Sequence, residues 1–173
     1  REHFVFAADH GIAEDDISKS PKEVTRQVVY SMLRGGAGIC FLCRQHDFRL
    51  HLVDVGVDHD FGDEPGLIHR KLRHGTRSYL REAAMTQEEA TKALEIGERC
   101  VDEALERGCR LLSFGEMGIT NTSSSALWMY YLTDLPLEAC VGRGSGLDDE
   151  GMQRKLAVLR TAVERYPGTG DAW

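Results

Sequence analysis

Four short apolar runs punctuate the chain, HFVFAA (3–8), LHLVDVGV (50–57), CRLLSFG (109–115) and LEACVG (137–142), and the segments between them carry helical periodicity. Strands that alternate with helices predict a largely parallel sheet with crossover helices. The helices carry their own start signals. SPKEVT offers Ser20 as N-cap, Pro21 at the first helical position and Glu23 at the third. TQEEA repeats the capping box with Thr86 and Glu89, and opens a helix with Ala90, Ala93, Leu94, Cys100, Val101, Ala104 and Leu105 on one face until Gly108 stops it. A last helix, from about Asp148, aligns Met152, Leu156, Leu159, Val163 and Tyr166 and ends at Pro167. Between the second strand and the Thr86 helix, DHDFGDEPGLIHRKLRHGTRSYLREAA reads as a long, partly helical connection of the kind that often carries function.

A length of 173 residues suits one ordinary core, so the expectation is a single α/β domain over 1–173. The balance of 21 basic and 28 acidic residues, a net charge of −7, argues against a diffuse basic surface for nucleic acid or anionic lipid. No apolar stretch approaches the roughly 18 residues that cross a bilayer, and REHFVFAADHG lacks the order of a signal peptide, so a cytoplasmic protein with no membrane partner is the simplest reading. Five cysteines, an odd number set mostly in apolar segments, read as reduced thiols. The chain opens on Arg1 and enters an apolar strand at once, which reads as part of a longer protein.

Ligands of open parallel sheets sit at the carboxyl ends of the strands. All four predicted strands end in Gly and polar residues: ADHG (Asp9, His10, Gly11), VDVG (Asp54, Gly56), GEMGITNTSSS and GRGSGLDDEG. Any one of these is explained by ordinary turn chemistry; four together point to a lined pocket. GITNTSSS and GRGSG each lead into a helix, where backbone N–H groups favour an anion such as phosphate. Neither is a Walker loop, and the glycines at 142, 144 and 146 do not have dinucleotide-fingerprint spacing. Lys155, two turns into the last helix, reads from the residues alone as a solvated surface lysine. The CxxC of Cys40 and Cys43 reads as buried helical thiols, and the seven histidines show no metal-ligand spacing, so neither a metal nor a cofactor is expected. His10 beside Asp9 is the one histidine singled out, and a turn-stabilising hydrogen bond explains it equally well. Glu116, flanked by Gly115 and Gly118 just after a predicted strand, has little reason to be there for packing. It suits a general base, a stabiliser of positive charge on a sugar, or an acceptor for a ligand N–H.

With these loops in view the sequence resembles the nicotinate-nucleotide:5,6-dimethylbenzimidazole phosphoribosyltransferases of cobalamin biosynthesis. The resemblance is carried, in family order and over nearly the whole chain, by FAADHGIAEDDISKSPKEVTRQVVYSMLRGGAGI, VDVGVD, PGLIHRKLRHGTRSYLREAAMT, GEMGITNTSSSAL and CVGRGSGLDDEGMQRKLAV. It implies a three-layer α/β/α fold with a mostly parallel, Rossmann-like sheet, the accompanying helical small domain being largely missing from this central part. It implies a homodimer, and transfer of phosphoribose from nicotinate mononucleotide to dimethylbenzimidazole or a related base.

By the same resemblance Glu116 is the catalytic candidate and, with Met117, Gly118, Thr120, Asn121 and Thr122, lines the ribose and phosphate. Gly142, Gly144 and Gly146 cradle the phosphate and Lys155 neutralises it, against the surface reading above. Ser20 lies beside the benzimidazole, with Asp9 and His10 near the same pocket. Two departures matter. The family commonly reads GEMGIGNTT, so Thr120 stands where a glycine is usual. The glutamate usually assigned as general base belongs to a C-terminal portion that these residues do not include, which leaves Glu116 as the candidate base in view. Two alternatives follow: a nucleotide-binding module without chemistry, and a nicotinamide-cofactor oxidoreductase, which the absence of GxGxxG opposes.

Overall fold

The computed structural model describes residues 1–168. Its elements run β1 (Glu2–Ala8), a 3-10 helix (Gly11–Asp15), α1 (Val24–Leu33), α2 (Gly38–Gln45), β2 (Arg49–Gly56), β3 (Leu67–His69), α3 (Gln87–Glu106), β4 (Leu112–Met117), α4 (Asn121–Leu132), α5 (Leu137–Cys140) and α6 (Asp149–Arg165). The chain divides into two compact units, one formed by Arg1–Asp9, Glu23–Thr76 and Met85–Gly118, the other by His10–Lys22, Arg77–Ala84 and the segment from Ile119 onward.

The first unit is a four-stranded parallel sheet in the order β3-β2-β1-β4. Side chains alternate across a strand, so β1 feeds two cores. Val5 and Ala7 join Leu52, Leu67 and Val29 of α1 on one face, with Ile39 of α2 against them. Phe4 and Val53 meet Ile96, Cys100 and Ala104 of α3 on the other. The expected α/β/α layering is thus present in this unit, with Cys40 and Cys43 buried on α2 as predicted. The second unit gathers Ala126 of α4, Leu137 of α5, Val141 and Leu159 of α6 into a core of its own.

Local signals hold where their partners are local. Thr86 Oγ1 accepts from Glu89 N–H at 3.1 Å while Glu89 accepts from Thr86 N–H at 2.8 Å, closing the predicted box at the start of α3. Asp148 caps α6 by accepting from Gly151 N–H at 2.9 Å. The Ser20 box does not form: α1 begins at Val24 with Glu23 at its N-cap and no side-chain cap bond, and Ser20 N–H donates instead to Ser18 Oγ at 3.2 Å.

Three further expectations are corrected. The predicted strand 137–142 is the short helix α5, because Leu137 and Val141, one helical turn apart, both point into the second core. The third strand starts at Leu112, since Gly108, at φ +81, and Cys109 are spent on ending α3. The long connection is extended where it was expected to be partly helical. It donates from Arg70, Leu72 and Gly75 N–H to the carbonyls of Asp54, Val55 and Gly56, running along β2 as β3 and its continuation. Lys71 fastens it, with Nζ 2.9 Å from Asp54 Oδ2 and donating to the carbonyls of Val57 and, at 2.7 Å, His59.

At the amino ends of the strands, Glu2 is buried and bonded to Arg107 Nη2 at 2.7 Å, with His51 Nε2 2.9 Å away. The Arg107 hydrogen bonds hold the Glu2 carboxyl below the usual carboxylate range. Burial holds His51 below the ordinary imidazole value against the pull of Glu2, and burial lowers His3, whose Nδ1 lies 2.6 Å from Ser113 Oγ, in the same way. In the second unit, Thr120 caps α4 at φ +76 and ψ 3, a left-handed conformation that costs a residue with a Cβ about 1–2 kcal/mol.

His3 and His51 have folded values below their unfolded ones, so the unfolded chain binds protons first. Their contribution is complete above the ordinary histidine value of about 6.5 and is lost as pH falls below it, with Glu2 adding a loss of the same sign at lower pH. Urea midpoints should fall from pH 7.5 to 5.5, and less steeply in His3→Gln; a flat wild-type profile contradicts this. Thr120→Gly should raise unfolding stability by up to about 1 kcal/mol, the relieved strain exceeding the added chain entropy; a lowered midpoint rules this out.

Candidate phosphate and sugar site

In the second unit, Lys155 lies seven residues into α6 and is 1% exposed. Its Nζ donates to Thr122 Oγ1 in the first turn of α4 and to the carbonyl of Gly142, both at 3.0 Å. Burial lowers its affinity for a proton. Among the described residues it has no carboxylate partner, and an ammonium has three donors, so a buried positive charge keeps a donor to give. The expectation of a solvated lysine is therefore overturned. The backbone folds closely around it: a Cβ on Gly144, at φ +54, would lie 3.2 Å from Thr122 Oγ1 and 3.7 Å from the ammonium. Gly146 also needs a positive φ, +97, and Arg143 braces the loop by donating to Leu147 O at 2.9 Å and to Asp149 Oδ1 at 2.5 Å.

Ser20 belongs to the same unit. Arg154 Nε donates to Asp16 O at 3.2 Å, and Lys19 Nζ lies 4.0 Å from Asp148, so the Ser20 turn runs along the first half of α6. His10 precedes the 3-10 helix in an extended conformation, its carbonyl accepting from Ala13 N–H at 3.0 Å. Thr120 and Ser123 are buried in the turn that opens α4, Ser123 completely. Ser123 was not predicted as a site residue; its only signal is the hydroxyl run SSS that begins there.

In the first unit the sheet register sets Glu116 opposite Phe6 and Met117 opposite Ala7. Glu116 is the penultimate residue of β4, not a residue beyond it, and is exposed. Gly115 beside it packs against His3: a Cβ there would lie 3.2 Å from His3 Nε2, so the ring would have to give by a few tenths of an ångström. From Glu116 to Thr122 the chain passes through buried Gly118 directly into the first turn of α4.

Asp9 follows β1 directly, and Asp54 lies two residues before the end of β2. Asp54 Oδ1 accepts from the N–H groups of Gly56 and Val57 at 3.1 and 2.9 Å, and its other oxygen faces Lys71, so its work is to shape the turn. Asp9 accepts from Asp58 N–H at 2.7 Å through Oδ2. Asp58, two residues past the end of β2, was not singled out in the sequence. Burial raises the Cys43 thiol, which fits an inert cysteine, and among the described residues no group of His, Cys, Asp and Glu is placed to hold a metal.

A family model described as phosphoribosyltransferase (DBI_PRT) matches residues 1–173. The chain is 56% identical over 169 residues to a nicotinate-nucleotide–dimethylbenzimidazole phosphoribosyltransferase of Parabacteroides distasonis, covering 97% of this chain and 49% of that one. It is 52% identical over 171 residues to the Bacteroides fragilis protein of the same name, covering 99% and 50%. The crystal structure of CobT from Thermus thermophilus superposes with a TM-score of 0.90 at 43% identity, covering 98% of this chain and 51% of that one. The chain thus spans about half the length of the relatives it matches. Taken with the loops described above, these likenesses show that the chain belongs to the nicotinate-nucleotide–dimethylbenzimidazole phosphoribosyltransferase family.

Proposed function

We propose that this chain supplies the nucleotide-binding half of an enzyme that moves phosphoribose from nicotinate mononucleotide to 5,6-dimethylbenzimidazole, giving α-ribazole 5'-phosphate and nicotinate. One observation carries the reading: the ammonium of Lys155, buried between the first turn of α4 and the 142–146 glycines with no carboxylate partner among the described residues. A buried cation of this kind is stabilised by an anion, and a helix N-terminus with a close glycine backbone favours phosphate. Names borne by the relatives supply the nucleotide and its acceptor.

Thr122, Gly142, Gly144, Gly146 and Lys155 then hold the phosphate, with Asn121, Thr120, Gly118 and Met117 along the ribose. One nitrogen of the benzimidazole attacks C1′ from the face opposite nicotinate. The C1′–N bond to nicotinate breaks, its electron pair leaving with the pyridine, and the other benzimidazole nitrogen gives up its proton to a base. Glu116 is the carboxylate of this chain assigned to that proton or to the positive charge developing on the sugar. Ser20, His10 and Asp9 are assigned to the acceptor side. The same resemblance supports a homodimer in the cytoplasm, with neither nucleic acid nor membrane as partner.

The test is chromatographic detection of nicotinate release by the full-length enzyme, with and without dimethylbenzimidazole. Release that depends on the acceptor supports the reading, and nucleotide binding without release favours a binding module. Lys155→Met should raise KM for nicotinate mononucleotide at least tenfold, while Glu116→Gln should lower kcat about a hundredfold or more with nucleotide affinity kept. Unchanged kcat in Glu116→Gln removes the role assigned to that carboxylate.

A further inference from the structure

Asp9 is held from several sides. It is 5% exposed, its N–H donates to Gly56 O at 3.0 Å, and its carbonyl accepts from Thr76 N–H at 3.0 Å. Gly75, held at φ +69, lies against it in van der Waals contact, a Cβ there falling 3.5 Å from Asp9 Cβ. Asp58 N–H fixes Oδ2 at 2.7 Å. What remains is Oδ1, buried and, among the described residues, without a hydrogen-bond partner. Lys71 is engaged by Asp54 and the carbonyls of Val57 and His59, and His74 Nδ1 lies 3.5 Å from Asp58 Oδ1.

Asp54 makes the contrast. It lies two residues before the end of the neighbouring strand and is also buried, but its Oδ1 accepts two N–H groups and its Oδ2 is ion-paired with Lys71 Nζ at 2.9 Å. A buried carboxylate oxygen left unmatched is costly, and it lies here at the carboxyl edge of a parallel sheet, where ligands of such sheets bind. An anionic group is excluded beside it by charge. Resting on the transferase reading above, we infer that Asp9 Oδ1 accepts one hydrogen bond from a substrate, given either by a ribose hydroxyl of the nucleotide or by the one N–H of the aromatic base, in which case Asp9 holds that proton and Glu116 is left to the charge developing on the sugar.

The side chain itself supplies a sharp test. In Asp9→Asn the Asp58 N–H still demands an acceptor, so the amide oxygen takes the Oδ2 place and the NH2 group takes that of Oδ1, setting donor against donor. In the full-length enzyme the KM of one substrate should rise about ten- to hundredfold, with the other unchanged, and the substrate affected names the donor. The matching analogue, 1-methylbenzimidazole for the base or a 2′- or 3′-deoxy nucleotide for the sugar, should bind the wild type more weakly by a similar factor and suffer no further loss in Asp9→Asn. If both KM values and the affinity of every analogue stay within twofold, the inference is overturned. Should Asp9→Asn fail to fold, the wild-type analogues decide alone: full affinity of all of them overturns it, and loss confined to one substrate upholds it. A wild-type enzyme that releases no nicotinate fails the transferase reading itself, whereas an active wild type with an indifferent Asp9→Asn fails only the contact assigned to Asp9.

Discussion

Parallel pairing of β1 with both β2 and β4 is the constraint from which the first unit follows. Parallel neighbours cannot be joined by a tight turn, so the chain must cross over with helices, and helices on both faces require strands apolar on both faces. Val5 and Ala7 serve one core and Phe4 the other, which is why β1 tolerates so little polarity along its middle. The same constraint brings every carboxyl end to one edge. Asp9, Asp54 and Glu116 share that edge because three parallel strands end there.

Charges at that edge and in the second unit divide by whether the fold itself satisfies them. Asp54 is closed by two backbone N–H groups and Lys71, and the Glu2–Arg107 pair at the opposite ends of the strands is likewise complete. Lys155 and Asp9 are not. Each is buried and fixed by bonds to neutral groups, and among the described residues each keeps one polar valence open, a donor in one case and an acceptor in the other. Burying charge without a partner of opposite sign works against folding, and the function proposed above assigns both groups to binding for that reason.

Several features were legible along the chain because their causes lie within a few residues. The Thr86–Glu89 box and the Asp148 cap need only one helical turn, and both are present. LEACVG misled because a short apolar run fits a strand or one helical turn equally well, and the second core selected the turn that buries Leu137 with Val141. The long connection misled in the other direction: Gly and charged residues suggested an irregular, partly helical segment, but its N–H groups found the open edge of β2. GEMGITNTSSS and GRGSG pointed to an anion site, and Thr120 was conspicuous in the first of these loops even before its positive φ was seen.

The amino-acid sequence by itself determined the alternation of strands and helices, the capped helix starts, the glycine-rich loops and the family, since these depend on neighbouring residues or on motif order. Only the tertiary structure decided which charged groups are satisfied. Asp9 meets Asp58 across 49 positions, and Lys155 meets Thr122 across 33. Like carboxylates near the carboxyl ends of two strands differ in their partners, and a lysine that reads as a surface residue is buried, because the surroundings of a side chain are chosen by the fold and not by its neighbours in the chain.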